Sequence, residues 1–225
     1  MRYALAILIS AVVTAAPTPS KIPRGADGKP DLGGDGVWFP LRLEDMANVP
    51  DSKVDVPFLP WAKKMFDENR ANKGNDTASR CLPQGIPRLT YTANAFQILQ
   101  LPNRIVFLYE GGTHIWRTVW MDGRAHPKDP NPDWLGDAVG HWEGDTLVVD
   151  SVGFNDRTWL DDAGHPHTER LHVVEKYTRT GPLAMRYEVV IDDPGAYSQS
   201  WTASTSIPFR PGVRLTEYVC TGDRP

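Results

Sequence analysis

The stretch Asp137-Ala138-Val139-Gly140-His141-Trp142-Glu143-Gly144-Asp145-Thr146-Leu147-Val148-Val149-Asp150 decides the fold class. Residues 137–142 and 145–150 are rich in Val, Leu and Trp, and Glu143-Gly144 between them is a turn signal. That pattern predicts a β-hairpin. Residues 171–179 and 183–192 flank Gly181-Pro182 and read as a second hairpin. Residues 96–101 and 104–110 meet at Pro102-Asn103. Residues 114–121 alternate, with His114, Trp116, Thr118 and Trp120 on one side and Ile115, Arg117, Val119 and Met121 on the other, before Asp122-Gly123. Runs at 201–207 and 213–219 complete the set. Eight or nine strands in meander order, with no βαβ pattern, predict an all-β, antiparallel, lipocalin-like (calycin-like) β-barrel with an N-terminal helix. Such barrels keep a pocket at one mouth, where loops carry function.

The bulk numbers agree. A chain of 225 residues fits one domain, and Gly 19, Pro 20 and Trp 8 suit a turn-rich, aromatic-rich β fold. The net charge of -4 argues against a nucleic-acid partner, which calls for a basic stripe.

Residues 1–15 read as a signal peptide. Arg2 supplies the positive start, residues 4–13 an apolar run too short to span a bilayer, and Val13-Thr14-Ala15 a small-residue cleavage site. The expected location is periplasmic or secreted, with no membrane insertion after cleavage. Residues 16–57 read as an extended N-terminal arm, and residues 58–225 as a single β-barrel domain with a leading helix. In that helix Leu59, Ala62, Met65 and Phe66 recur at helical spacing. The two cysteines, Cys81 and Cys220, are expected to pair in an exported protein, two separate buried thiols being the other reading.

All six histidines lie between positions 114 and 172. The densest group runs from Trp159 to Arg170, where imidazoles and carboxylates are close enough to pair. His167 is the expected proton-transferring group, with Glu169 or Asp161 as its orienting carboxylate. Arg117 or His114 would hold the oxyanion that forms. Trp116, Tyr109, Asn155, Trp159, His165 and His141 are candidates for binding substrate. An inward-facing Arg117 would need a carboxylate partner or an anionic ligand. His165-x-His167-x-Glu169 has the spacing of a ligand set on a strand, but no HExxH or paired CxxC accompanies it, so no metal and no cofactor are expected. A GxSxG elbow, a phosphate loop and GxGxxG are also missing.

The strings Arg80-Cys81-Leu82-Pro83, Asp122-Gly123-Arg124-Ala125-His126-Pro127 and Trp142-Glu143-Gly144-Asp145-Thr146-Leu147-Val148-Val149-Asp150 resemble those of a large family of exported bacterial proteins of unassigned function. So do Gly153-Phe154-Asn155, Thr158-Trp159-Leu160-Asp161 and Gly164-His165-Pro166-His167-Thr168-Glu169. The resemblance covers about Cys81 to Cys220 and implies export but no catalytic set. His141 stands where the family pattern implies Arg.

Together these features point to an exported, cofactor-independent acid/base enzyme, a lyase acting on a small plant- or lignin-derived phenolic by elimination or ring opening, with formaldehyde loss as one form. A barrel that carries a small hydrophobic ligand is the alternative. A metal-dependent hydrolase is the third class.

Overall fold

The computed structural model describes residues 21–41, 44–49 and 52–221, without the side chains of Ser52, Thr113 and His114. The leader expected at residues 1–15 lies outside the described residues.

The strands are β1 (Gly36–Trp38), β2 (Asn48–Val49), β3 (Ser52–Lys53), β4 (Phe96–Leu101), β5 (Arg104–Tyr109), β6 (Trp116–Trp120), β7 (Asp137–Glu143), β8 (Thr146–Val152), β9 (His172–Gly181), β10 (Ala184–Asp192) and β11 (Trp201–Pro211). The helices are α1 (Pro60–Ala71), α2 (Arg88–Tyr91) and α3 (Gly111–His114). Nine strands close in a ring in the order β1-β11-β10-β9-β8-β7-β6-β5-β4, and β2 and β3 form a separate pair.

The hairpins fall where the turn signals place them. Three expectations need correction. The sheet is mixed rather than wholly antiparallel, because β6 and β7 run parallel where Trp120 meets Val139. The intervening segment carries Pro127, Pro130 and Pro132, which cannot donate to a ladder, and it returns the chain to the end from which β6 began. Second, the arm is not merely extended: β1 closes the ring, pairing with β11 over three residues and with β4 at Trp38 and Phe96. Three residues are too short to show a period-2 pattern, so the sequence hides this strand. Gly36 fits there because a Cβ would lie 2.5 Å from the Arg210 carbonyl oxygen. Third, residues 213–221 form no strand, and His114 ends the α3 turn instead of opening β6.

Alternation along the strands fills the ring with Trp38, Phe96, Phe107, Leu147, Val149, Tyr177, Met185, Tyr187 and Val189. Outside it, α1 buries Ala62 and Phe66, and Asn69 Nδ2 donates to the Gly164 carbonyl at 2.9 Å. That bond ties the helix to the β8–β9 loop, where the acid/base residues cluster. No described helix is long and apolar enough to cross a membrane.

Cys81 and Cys220 form a disulfide with a sequence separation of 139. It fastens the C-terminal segment beside the residues that precede α2, and an extracellular or periplasmic compartment permits it. Unfolded, non-reduced protein should therefore show no alkylatable thiol by intact mass. Reduction should lower stability by about 4–5 kcal/mol in the chain-entropy model for so long a loop. Two alkylated thiols in protein prepared without reductant would contradict the pairing.

Candidate functional site

The β8–β9 loop, residues 153–171, is organised around one carboxylate. Asp161 is wholly buried. Its Oδ1 accepts the backbone N–H groups of Ala163, Gly164 and His165 at 3.1, 3.1 and 3.3 Å. Its Oδ2 accepts the Met46 N–H and meets His165 Nδ1, both at 2.8 Å. Gly164 completes the turn at φ +101, and a Cβ there would lie 2.6 Å from the Asn69 side chain. Burial pushes the Asp161 carboxyl up, but the His165 ring and the Met46 and His165 N–H donors outweigh it and hold the group below its ordinary range. Asp161 is therefore an ionised, hydrogen-bonded carboxylate at neutral pH.

His165 is 1% exposed, its ring parallel to Phe58 at 5.5 Å and close to Phe66 at 4.3 Å and Trp201 at 5.6 Å. In the neutral ring Asp161 fixes the proton on Nδ1 and leaves Nε2 for chemistry. His165 also lines a cavity of about 470 Å³ shared with Asp45, Phe58, Lys63, Phe66 and Arg70. That volume suits a small molecule, whose sites are typically about 300–1,000 Å³. The Arg70 guanidinium lies 5.4 Å from the Phe66 ring centroid, so positive charge stands beside an aromatic wall.

His167 is placed differently from expectation. Neither Glu169 nor Asp161 orients it, because Asp161 pairs with His165 and Glu169 is exposed. Its Nδ1 lies 3.2 Å from the Thr168 carbonyl, which can only accept, so Nε2 takes the Thr158 hydroxyl proton at 2.8 Å. Both ring nitrogens are used, and burial lowers the affinity of the ring for a second proton. His165, His167 and Glu169 thus do not converge as a ligand set.

Arg117 enters the ring, as an inward position requires, and its partner is Glu175, at 2.5 Å. Arg117 also donates to Ser151 Oγ at 2.5 Å, while the Tyr177 and Tyr187 hydroxyls donate to Glu175 Oε1 at 2.7 and 2.8 Å. Burial opposes the Arg117 charge, but Glu175 outweighs it and raises the pKa above its ordinary value. Tyr109 faces the same nucleus, and burial pushes its hydroxyl up to about 12. Sequence reasoning missed Glu175, Tyr177 and Tyr187; the alternation Val173, Glu175, Tyr177 on β9 is the signal that finds the first two, and Met185, Tyr187, Val189 on β10 the third.

The remaining candidates disperse. Trp159 is buried, with Lys73 and Arg88 at 5.7 and 5.8 Å from its ring. It belongs beside a second cavity, of about 370 Å³, lined by Lys73, Asp76, Arg88, Asp162 and the disulfide. There Arg88 is held by Asp76 and Asp162 at 2.6 and 2.7 Å. Asn155 caps its own loop, accepting the Arg157 N–H. Trp116 is 65% exposed on the outer face, and His141 is exposed beside Glu143. His114 lies in α3, its side chain outside the described residues.

Asp45, Asp161 and His165 offer ligand atoms within 4.8 Å of one another, the spacing a metal ion needs. Asp161, however, already receives five donors on a carboxylate with about four lone-pair sites. Its chemistry is that of a hydrogen-bond acceptor, and the donor set does not fit an ion.

The shifted groups fix the acid behaviour. His167 and Asp161 both hold lowered values, so the unfolded chain binds more protons than the folded one. Stability is then full above about pH 6.5, declines first as the unfolded histidine protonates, and falls again below about pH 4. His167→Gln should flatten the first decline and Asp161→Asn should shrink the second, to which Asp76 beside Arg88 also contributes, in urea titrations across pH. Unchanged profiles in both variants would contradict the assignments.

No family model matches the chain, and neither a curated protein nor a solved structure matches it.

Proposed function

We propose that the protein is an exported acid/base enzyme, independent of cofactors at its site, that acts as a lyase on a small phenolic compound. The observation that carries this reading is the Asp161–His165 pair at the edge of a cavity with Phe58 and Phe66 in its wall. An aromatic ring packs against Phe58 and Phe66. His165 Nε2 takes the phenolic proton, and ionised Asp161 stabilises the imidazolium that forms. The phenolate lies near Arg70, whose charge offsets its own. For a lignin-type diol, the phenolate expels the benzylic hydroxyl as hydroxide and becomes a quinone methide. The hydroxide takes the proton of the terminal hydroxyl and leaves as water. The carbon–carbon bond then breaks and formaldehyde leaves. The bond's electron pair forms the side-chain double bond, and the ring returns to a phenolate, which His165 reprotonates. Water and formaldehyde leave, and no oxidant or reductant is needed.

The ring interior is filled by apolar side chains packed around the Arg117–Glu175 pair and its tyrosines, an arrangement that disfavours a carrier holding its ligand in the lumen. A lipocalin-like character of the ring is part of this proposal, with the ligand held against the loop at the ring's edge and not in the filled interior.

Guaiacol should quench the fluorescence of Trp201, the indole beside His165. Trp201→Phe should remove that component, and formaldehyde release from a diol dimer should continue in excess chelator. Turnover abolished by chelator and restored by zinc, in wild type and equally in His126→Gln with His172→Gln, would instead place an ion on Asp45, Asp161 and His165. Quenching unchanged in Trp201→Phe would move the ligand elsewhere.

A further inference from the structure

Two histidines that the acid/base site does not use meet on one carboxylate at the outer wall of the ring. Asp150, in β8, faces away from Ser151, whose side chain enters the ring to meet Arg117. His172 opens β9 and stands opposite Asp192 of β10 on the same outer face. Because Asp150 pairs with Val174, His172 is its diagonal neighbour, within reach of a long side chain. His126 arrives from the proline-rich segment between β6 and β7.

The contacts set two imidazoles on one carboxylate, and the three ligand atoms are spread more widely than those of Asp45, Asp161 and His165. Asp150 Oδ1 lies 3.1 Å from His126 Nε2 and 2.9 Å from His172 Nε2. The opposite nitrogen of each ring faces another carboxylate: His126 Nδ1 lies 2.6 Å from Asp137, and His172 Nδ1 lies 4.0 Å from Asp192. A carboxylate hydrogen-bonded behind an imidazole, as Asp137 is behind His126, orients a metal-binding histidine and raises its basicity, while Asp192 at 4.0 Å adds only nearby negative charge. All five side chains are partly exposed, so an ion has an entry path and room for water ligands.

We propose that His126, His172 and Asp150 bind one divalent transition-metal ion, with Asp137 as the carboxylate that orients the His126 ring and Asp192 as negative charge beside His172. Two imidazoles and one carboxylate select zinc, copper, nickel or cobalt over magnesium or calcium, which prefer all-oxygen shells. Ligand nitrogens about 2.0–2.1 Å from the ion must stand closer together than two rings bridged only by a shared oxygen. Binding therefore replaces the two Asp150 hydrogen bonds with metal bonds and draws the rings inward. The ion would clamp the β6–β7 segment to β8 and β9. Those two strands frame the loop that carries Asp161 and His165, so the ion acts on the stability of that frame and not in the reaction.

The test uses zinc alone, then cobalt as a spectroscopic stand-in, on the oxidised full chain. Wild type should bind one equivalent of zinc at neutral pH by equilibrium dialysis, with a raised melting temperature that chelator reverses. Cobalt should give visible absorption bands of a nitrogen–oxygen site. His126→Gln with His172→Gln should abolish binding while the circular dichroism of the metal-free protein stays unchanged. Asp137→Asn should weaken binding by about 10–100-fold, the usual cost of losing an orienting carboxylate. Asp45→Asn should leave it intact. The proposal is overturned if wild type binds no zinc, or if the double variant keeps wild-type affinity. It is also overturned if Asp45→Asn, rather than the histidine variant, abolishes binding. Should the double variant fail to fold, Asp150→Asn takes its place: zinc affinity should be lost in it, and wild-type affinity there would overturn the site.

Discussion

His165→Gln should lower turnover of a phenolic diol by about 10²–10⁴-fold, the usual contribution of a positioned general base. Glutamine keeps most of the bulk between Phe58 and Phe66 and can still donate to Asp161, so the fold and the cavity should survive. The loss should appear in kcat, because the proton moves in the transition state and not on binding. Asp161→Asn should also lower kcat, but with weakened stability, since the amide cannot serve the three loop N–H groups, Met46 and His165 as the carboxylate does. His167→Gln is the control: with both nitrogens of His167 committed to Thr158 and Thr168, turnover should remain within several-fold of wild type. A large kcat loss in His167→Gln, with His165→Gln active, would return the proton transfer to His167 and remove the basis for the cavity assignment.

Glu175→Ala should cost about 3–5 kcal/mol of stability, because it leaves a buried guanidinium without its countercharge. The loss is compounded by the Tyr177 and Tyr187 hydroxyls, which both donate to Glu175. Arg117 of β6, Ser151 of β8 and Glu175 of β9 join across the interior of the ring. The paired change Arg117→Met with Glu175→Leu should recover much of the loss, as apolar replacement of a buried ion pair often does. Denaturant midpoints with an unchanged slope are the measurement. A Glu175→Ala variant within about 1 kcal/mol of wild type, no more than an exposed pair contributes, would show that the ion pair does not hold the ring.

The hairpins were legible because turn residues and apolar alternation agree in them. Pro102-Asn103, Glu143-Gly144 and Gly181-Pro182 all sit at strand junctions. The helix was legible for the same reason, as Ala62 and Phe66 bury one face of α1. Ring closure was not, because β1 has three residues and its partners are distant in sequence. Neither was the parallel step between β6 and β7, which depends on where a proline-rich connection leads.

Within the candidate site, Asp161 and His165 were visible as chemistry but not as a pair. Spacing in an irregular loop does not fix direction, and the turn at Gly164 brings position 165 back onto 161 while position 167 turns to Thr158. Strand alternation grouped Arg117 with Val119 but left open which face turns inward, and the partner was hidden because Glu175 lies 58 residues away.

The most direct measurement is the nitrogen NMR of the histidine rings with and without guaiacol. The neutral His165 ring should carry its proton on Nδ1, against Asp161, and its Nε2 signal should shift as guaiacol binds. His167 should stay fixed, with its Nε2 accepting from Thr158 throughout. A His165 ring protonated on Nε2 in its neutral form, or one that ignores the ligand while His167 responds, would contradict the assignment of proton transfer to His165.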